Sequence, residues 1–245
     1  MHINNQRYIP RIWQRILEYW SIPKEQPLTD HDLLPALGMS IIHSLAGCDQ
    51  INCVEIDRVS DMIPKIIGFT SFRSAMVNSE AQRKVLLKST LKVLQRLTSI
   101  EGEIGITLQY KISKHPFLLR NLAEILGDSS SSNNNQELRR LVAGILRNLA
   151  IDRDTRQEIG QMKMLITRLL KAFLDSNRSF SSDVDCLLPK VAGQALICKL
   201  IPEEFAQELE HGQIKRRFIK RLVDALNANM KPSAHCPRIR RVILE

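Results

Sequence analysis

A leucine recurs down this chain at a nearly fixed interval. Leu45, Leu97, Leu149 and Leu200 stand in Ser44-Leu45-Ala46, Arg96-Leu97-Thr98, Asn148-Leu149-Ala150 and Lys199-Leu200-Ile201, spaced 52, 52 and 51 residues apart. The third and fourth positions upstream of each are apolar: Ile41/Ile42, Val93/Leu94, Ile145/Leu146 and Leu196/Ile197. Such offsets place these side chains on the anchor's own face of a helix. A second series keeps step with the first. Ile9-Pro10-Arg11-Ile12-Trp13 is matched 54 residues later by Ile63-Pro64-Lys65-Ile66-Ile67, and after another 52 by His115-Pro116-Phe117-Leu118-Leu119. Each proline stands where an apolar helix begins, and there its missing N–H costs nothing. Two series in step at one period predict a repeat built from helices.

The register divides the chain. Residues 1–47 hold a second and a third helix, over 8–20 and 31–46. The earlier carries the stripe Ile12, Trp13, Ile16, Leu17 and Trp20. Complete three-helix units are predicted at 48–99, 100–151 and 152–201. Residues 202–230 add a first and second helix without a third, and 231–245 read as a loose basic tail containing Arg238-Ile239-Arg240-Arg241. The array is thus expected to be clipped at both ends, and so to self-associate or belong to a longer one. Long joints fall at 70–79, 128–135 and 176–185. Residues 128–135, a Ser/Asn run, have nothing to bury and are expected to be mobile.

Within 136–174 the unit boundary is the plainest. A helix ends at Arg147-Asn148-Leu149-Ala150, and Asp152-Arg153-Asp154 supplies cap chemistry for the next. Gly160 closes that helix, and Met164–Leu174 opens another. This stretch resembles an armadillo repeat, whose third helix ends in Asn-Leu-Ala and is followed by a short first helix, a glycine and an apolar second helix. The whole chain is similar to armadillo-type proteins of plants. The resemblance implies an all-α, right-handed superhelical solenoid of armadillo-type repeats. The joints account for a period longer than the ~40–47 residues usual for armadillo and HEAT repeats; the HEAT type is the alternative.

The resemblance also implies a site. Third helices would line a concave surface, where the Asn before the anchor leucine hydrogen-bonds an extended peptide. That position holds Ser44, Arg96, Asn148 and Lys199, so one of the four matches. The Trp four residues earlier is replaced by Ser40, Lys92, Gly144 and Ala195. Import adaptors of the karyopherin-alpha kind depend on that Trp/Asn ladder, so their task is not expected. What lines the expected groove is positive: Lys88, Lys92, Arg96, Arg140, Arg147 and Lys199, with Asn148 among them. This is similar to catenin-type arrays, whose basic grooves hold acidic extended segments. A solvated polar face is the competing reading, since any amphipathic helix needs one.

Charge supports a local patch over a uniformly basic molecule. Of the formal +9, residues 211–245 contribute +7, so specific nucleic-acid binding is not expected. The basic helix Ile214–Leu226 reads first as a solvated repeat face, then as a contact for anionic membrane or acidic protein. No run is long enough for a membrane span and no cleavable signal opens the chain. Five scattered cysteines then suit a reducing compartment. Cytoplasmic residence is expected, with the nucleus or a membrane's cytoplasmic face as alternatives. Cys48, Cys53 and His43 lack the second pair a zinc site needs. There is no phosphate loop, GxSxG elbow or HExxH, and the histidines are dispersed, so neither an enzyme nor a cofactor is expected. The expectation is a protein-binding scaffold or adaptor. A substrate-recognition arm of a ubiquitin-ligase assembly, or a membrane-associated module of a longer parent protein, are its alternatives.

Overall fold

The computed structural model describes residues 30–71, 79–127, 133–175, 210 and 213–228. These form ten helices and no strands. They are α1 (Asp30–Cys48), α2 (Gln50–Arg58), α3 (Met62–Gly68), α4 (Glu80–Thr98), α5 (Gly102–Ser113), α6 (Leu118–Gly127), α7 (Asn133–Leu149), α8 (Arg153–Gln161), α9 (Lys163–Asp175) and α10 (Ile214–Ala228). The expected helix over 8–20, the joint 176–185, the third helix holding Lys199 and Leu200, and the tail 231–245 lie outside the described residues.

The helices start where short polar side chains can take orphan N–H groups. Asp49 accepts from the Ile51 N–H at 3.0 Å, Ser79 from Gln82 at 3.1 Å, and Asp152 from Thr155 at 2.8 Å. The bond from Thr155 holds the Asp152 carboxyl below the ordinary carboxylate range. Helix α7 begins three residues earlier than the Ser/Asn joint implied. Asn133, Asn134 and Asn135 form its first turn. At the start of α5, Gly102 has φ +82°. A Cβ on Gly105 would lie 1.9 Å from the Ile100 carbonyl oxygen, so that helix passes closer to the preceding turn than any side chain allows.

Helices one period apart pack on one another. α4 lies against α1, α7 against α4, and α9 against α6, while α3 packs on α4 and α6 on α7. The core follows the expected offsets. Leu86, Leu87, Leu91, Val93, Leu94 and Leu97 of α4 are buried, as are Leu138, Leu141, Val142, Ile145, Leu146 and Leu149 of α7. In α1 the pattern breaks: Ile41 and Leu45, expected to face inward, are exposed. The faces of α1 that are covered, at Ala36, Met39 and Ala46, belong to the cluster shared with α4.

Helix C-termini are closed by side chains from farther along the chain. Arg96 donates to the Ala46 and Gly47 carbonyls at 3.2 and 3.1 Å, and Asn52 to Leu45 at 2.9 Å. These meet three of the four last carbonyls of α1, which have no partner within the helix. Arg139 donates to Leu126 at 3.2 Å, near the end of α6, and Arg168 to Ala123 at 2.6 Å. Among the described residues, no helix is long and apolar enough to cross a membrane.

Candidate functional site

Lys88, Lys92 and Arg96 are spaced by four on α4, and Arg140, Arg147 and Asn148 sit on the neighbouring α7. Three cross-helix approaches show how the two are aligned. Lys88 Nζ meets Glu137 Oε2 at 2.5 Å. A Cβ on Gly144 would lie 2.3 Å from Gln95 Nε2, so Gln95 lies across that glycine. Asn148 Nδ2 donates to Thr98 Oγ1 at 3.2 Å. Residue numbers rise together in all three pairs, so α4 and α7 run parallel. Lys92 and Arg140 come one turn after Lys88 and Glu137, between the first approach and the last.

The six described candidates are therefore brought to one pair of helices, but with different tasks. Arg96 is spent on the carbonyls that end α1. Asn148 is buried; its amide donates to Thr98, and its Oδ1 accepts from Arg147 Nε and a terminal guanidinium nitrogen at 3.3 and 3.1 Å. Thr98 in turn donates to the Leu94 carbonyl at 2.8 Å. The expected contact between Asn148 and a peptide backbone finds that amide already bonded to Thr98 of α4 and Arg147, because an amide fits a neighbouring helix end as well as a ligand. Burial lowers the Arg147 pKa from its ordinary value. Lys88 is held by Glu137. Lys92 and Arg140 are left without an ion-pair partner among the described residues. Lys199 lies outside them.

The sequence reading passed over Glu137, which pairs with Lys88 from across the helix pair, and Gln95, which lies over Gly144 of α7. It also passed over a second amide–hydroxyl bond, Asn121 Nδ2 to Thr70 Oγ1 at 2.9 Å, with Thr70 donating to Ile67 at 2.6 Å. The signal was present: Asn121 and Asn148 follow their threonine partners by 51 and 50 residues, close to the period. His43 of α1 faces the same cations. Burial pulls its pKa below the ordinary histidine value, and the charges of Lys92 and Arg96 add to that. The Cys53 thiol is buried with Sγ 3.5 Å from the Ala46 carbonyl oxygen, and burial raises its pKa; Cys48 is exposed.

A concavity of about 470 Å³ opens between the α2–α3 and α5–α6 turns. Its charges are largely spoken for. Lys111 meets Asp57 at 2.6 Å, and Lys114 meets Glu158 at 2.6 Å while lying 5.8 Å from the Tyr110 ring centroid. Burial lowers the His115 pKa. Its wall includes Asp61, in the left-handed region at φ 60°. On α10, Phe218 is buried and Ile219 and Val223 are exposed beside Lys215, Arg216 and Lys220. No protein-family model, curated protein or solved structure matches this chain.

Proposed function

We propose that this chain is a non-enzymatic protein-binding scaffold. Its helices build a right-handed armadillo-type solenoid, and the basic face of α4 and α7 takes an extended acidic segment of a partner. One observation carries the reading: the two helices run parallel with Lys92 and Arg140 on neighbouring turns and, among the described residues, no carboxylate paired to either. An acidic chain laid along that face would meet these two cations, and could displace Glu137 from Lys88. Arg96, Arg147 and Asn148 hold the helix ends and provide the frame, and Lys199 would extend the face into the next unit. Cys48 and Cys53, both free thiols, suit the reducing compartment this reading expects.

The test is binding of a fluorescein-labelled, glutamate-rich peptide by anisotropy. Each exposed pair is worth about 0–1 kcal/mol, so no single residue should dominate. The triple variant Lys88/Lys92/Arg140→Glu should weaken binding by roughly tenfold or more, and binding should fall as salt rises. Unchanged affinity in that variant rejects the face.

A second reading is supported by α10, where exposed Ile219 and Val223 lie among basic side chains. Apolar residues set in a cationic face suit an anionic membrane surface. Co-sedimentation with phosphatidylserine vesicles that is lost in Lys215/Arg216/Lys220→Glu, and kept in the α4–α7 variant, would favour it.

A further inference from the structure

We infer that Gln95 of α4 is the residue that grips the backbone of the segment bound along α4 and α7, an inference that rests on the binding face proposed above. The resemblance assigns that task to Asn148, whose amide is instead bonded to Thr98 and Arg147. A second amide stands at the same junction, nearer solvent. Gln95 is half-buried, and its side chain neither donates nor accepts a hydrogen bond among the described residues. Its backbone carbonyl is the part already used, accepting from Thr98 at 3.2 Å. A side-chain amide offers donor and acceptor together, the pair that an extended peptide unit needs; a carboxylate or an ammonium supplies one of the two. Bonds to the main chain give affinity without asking for a particular side chain. Selection for acidic residues is then left to the cations beside it.

A glycine keeps this amide open. A Cβ on Gly144 would lie 2.3 Å from Gln95 Nε2 and 3.3 Å from its Cδ, so the amide lies over bare backbone of α7. The register shows what a side chain does in that place. One period earlier, positions 95 and 144 become His43 of α1 and Lys92 of α4. There the histidine meets the charge of the lysine across the junction. At the α4–α7 junction glycine removes the opposing side chain, and the amide is left with its hydrogen-bonding groups unspent. On both helices the pair comes one turn after Lys92 and Arg140. A turn advances about 5.4 Å, and an extended chain advances about 3.3 Å per residue. The residues one and two places from a peptide unit held by Gln95 therefore lie abreast of the two cations. Acidic side chains at those places reach Lys92 and Arg140 while the backbone stays on the amide.

Gln95→Met tests this, because it keeps the length of the side chain over Gly144 and removes both hydrogen-bonding groups. Two fluorescein-labelled ligands are compared by anisotropy on the full chain. One is the glutamate-rich peptide; the other is polyacrylate of matched charge, which has carboxylates and no peptide units. Gln95→Met should weaken the peptide by about three- to tenfold, the net worth of one or two hydrogen bonds. The salt dependence of peptide binding and the affinity for polyacrylate should stay as they were. Gly144→Ala should weaken the peptide to a similar degree, since its methyl group displaces the flexible end of Gln95. The double variant should then bind no more weakly than either single one. Peptide binding that falls in Lys88/Lys92/Arg140→Glu and is unchanged in Gln95→Met overturns the inference and leaves the basic face standing. A Gln95→Met variant that loses polyacrylate along with the peptide makes Gln95 a support for the cations, and overturns the inference equally. No binding of the peptide by the unaltered chain overturns both the inference and the face.

Discussion

The α1–α4 and α4–α7 junctions close the same gap with different chemistry. Position 96 precedes the anchor leucine of α4, and position 148 precedes that of α7. Arg96 sends its guanidinium to two bare carbonyls at the end of α1. Asn148 sends its amide to Thr98, whose hydroxyl has already turned back onto the end of α4. Both reach about 50 residues upstream and both finish a helix end. The first junction keeps its bond near solvent; the second buries it and braces it with Arg147. The position before the anchor leucine is thus the clamp between α1 and α4 and between α4 and α7, whichever side chain fills it. A guanidinium reaches the carbonyls at the exposed junction, and at the buried one a neutral amide makes the helix-end contact while the partly desolvated Arg147 guanidinium bonds its oxygen.

The anchor beside the buried clamp should give the largest effect. Leu149 is 1% exposed, so Leu149→Ala removes buried aliphatic volume and leaves a cavity, at a cost of about 2–5 kcal/mol. Urea or thermal unfolding should show it clearly. An unchanged midpoint would take Leu149 out of the core and break the register on which the comparison stands. Next come the clamps. Asn148→Ala leaves the Thr98 hydroxyl without its amide donor and takes the Oδ1 acceptor from Arg147, at about 1–3 kcal/mol. Arg96→Ala exposes carbonyls that water can reach, so its cost should be about 1 kcal/mol or less. Equal losses in the two variants would erase the distinction between the junctions.

Much of this frame was legible in the sequence, and the reason is periodicity. Leucines and isoleucines at offsets of three and four can bury only one face, so α4 and α7 were readable from Val93/Leu94/Leu97 and Ile145/Leu146/Leu149. Asp152 was readable as a cap because a carboxylate before a polar helix start has few other uses. The clamps were not readable, since an amide or guanidinium declares what it can donate and leaves its partner open. Asn148 carried the expected residue type, yet its bonds go to Thr98 and Arg147. The exposure of Ile41 and Leu45 was hidden for a different reason: repeat patterning records a face and says nothing of which neighbour covers it. Lys88 read as a free groove cation because Glu137, its partner, lies 49 positions away and belongs to another helix.

A smaller effect should sharpen the comparison from within α4. Thr90 is fully buried and its hydroxyl has no hydrogen-bond partner among the described residues. One period on, α7 has Val142, also fully buried. Thr90→Val keeps the shape and removes an unmatched polar group, so stability should rise by about 1 kcal/mol. A fall in the urea midpoint would reveal a partner for that hydroxyl and a polar contact unique to α4.

The smallest expected effect concerns pH, and it belongs to the α1–α4 junction, since α7 contains no histidine. His43 of α1 has its pKa drawn below the ordinary value of 6.5, first by burial and then by Lys92 and Arg96 of α4. An unfolded chain takes up this proton near pH 6.5, while the folded chain resists until a lower pH. Between those values the unfolded state binds more protons, so stability rises with pH across the window. The contribution is whole above about pH 6.5, declines on acidification, and levels off below the folded value. Other groups titrate nearby, notably His115, whose pKa burial also lowers. The informative quantity is therefore the difference in urea midpoint between the unaltered chain and His43→Gln, followed from pH 8 to pH 5. That difference should shift against the unaltered chain as pH falls, and the shift should shrink when Arg96→Ala is added, because one of the two repelling charges is then gone. A constant difference would mean that His43 takes its proton as easily beside α4 as in the unfolded chain. The first junction would then be no more sensitive to acid than the second.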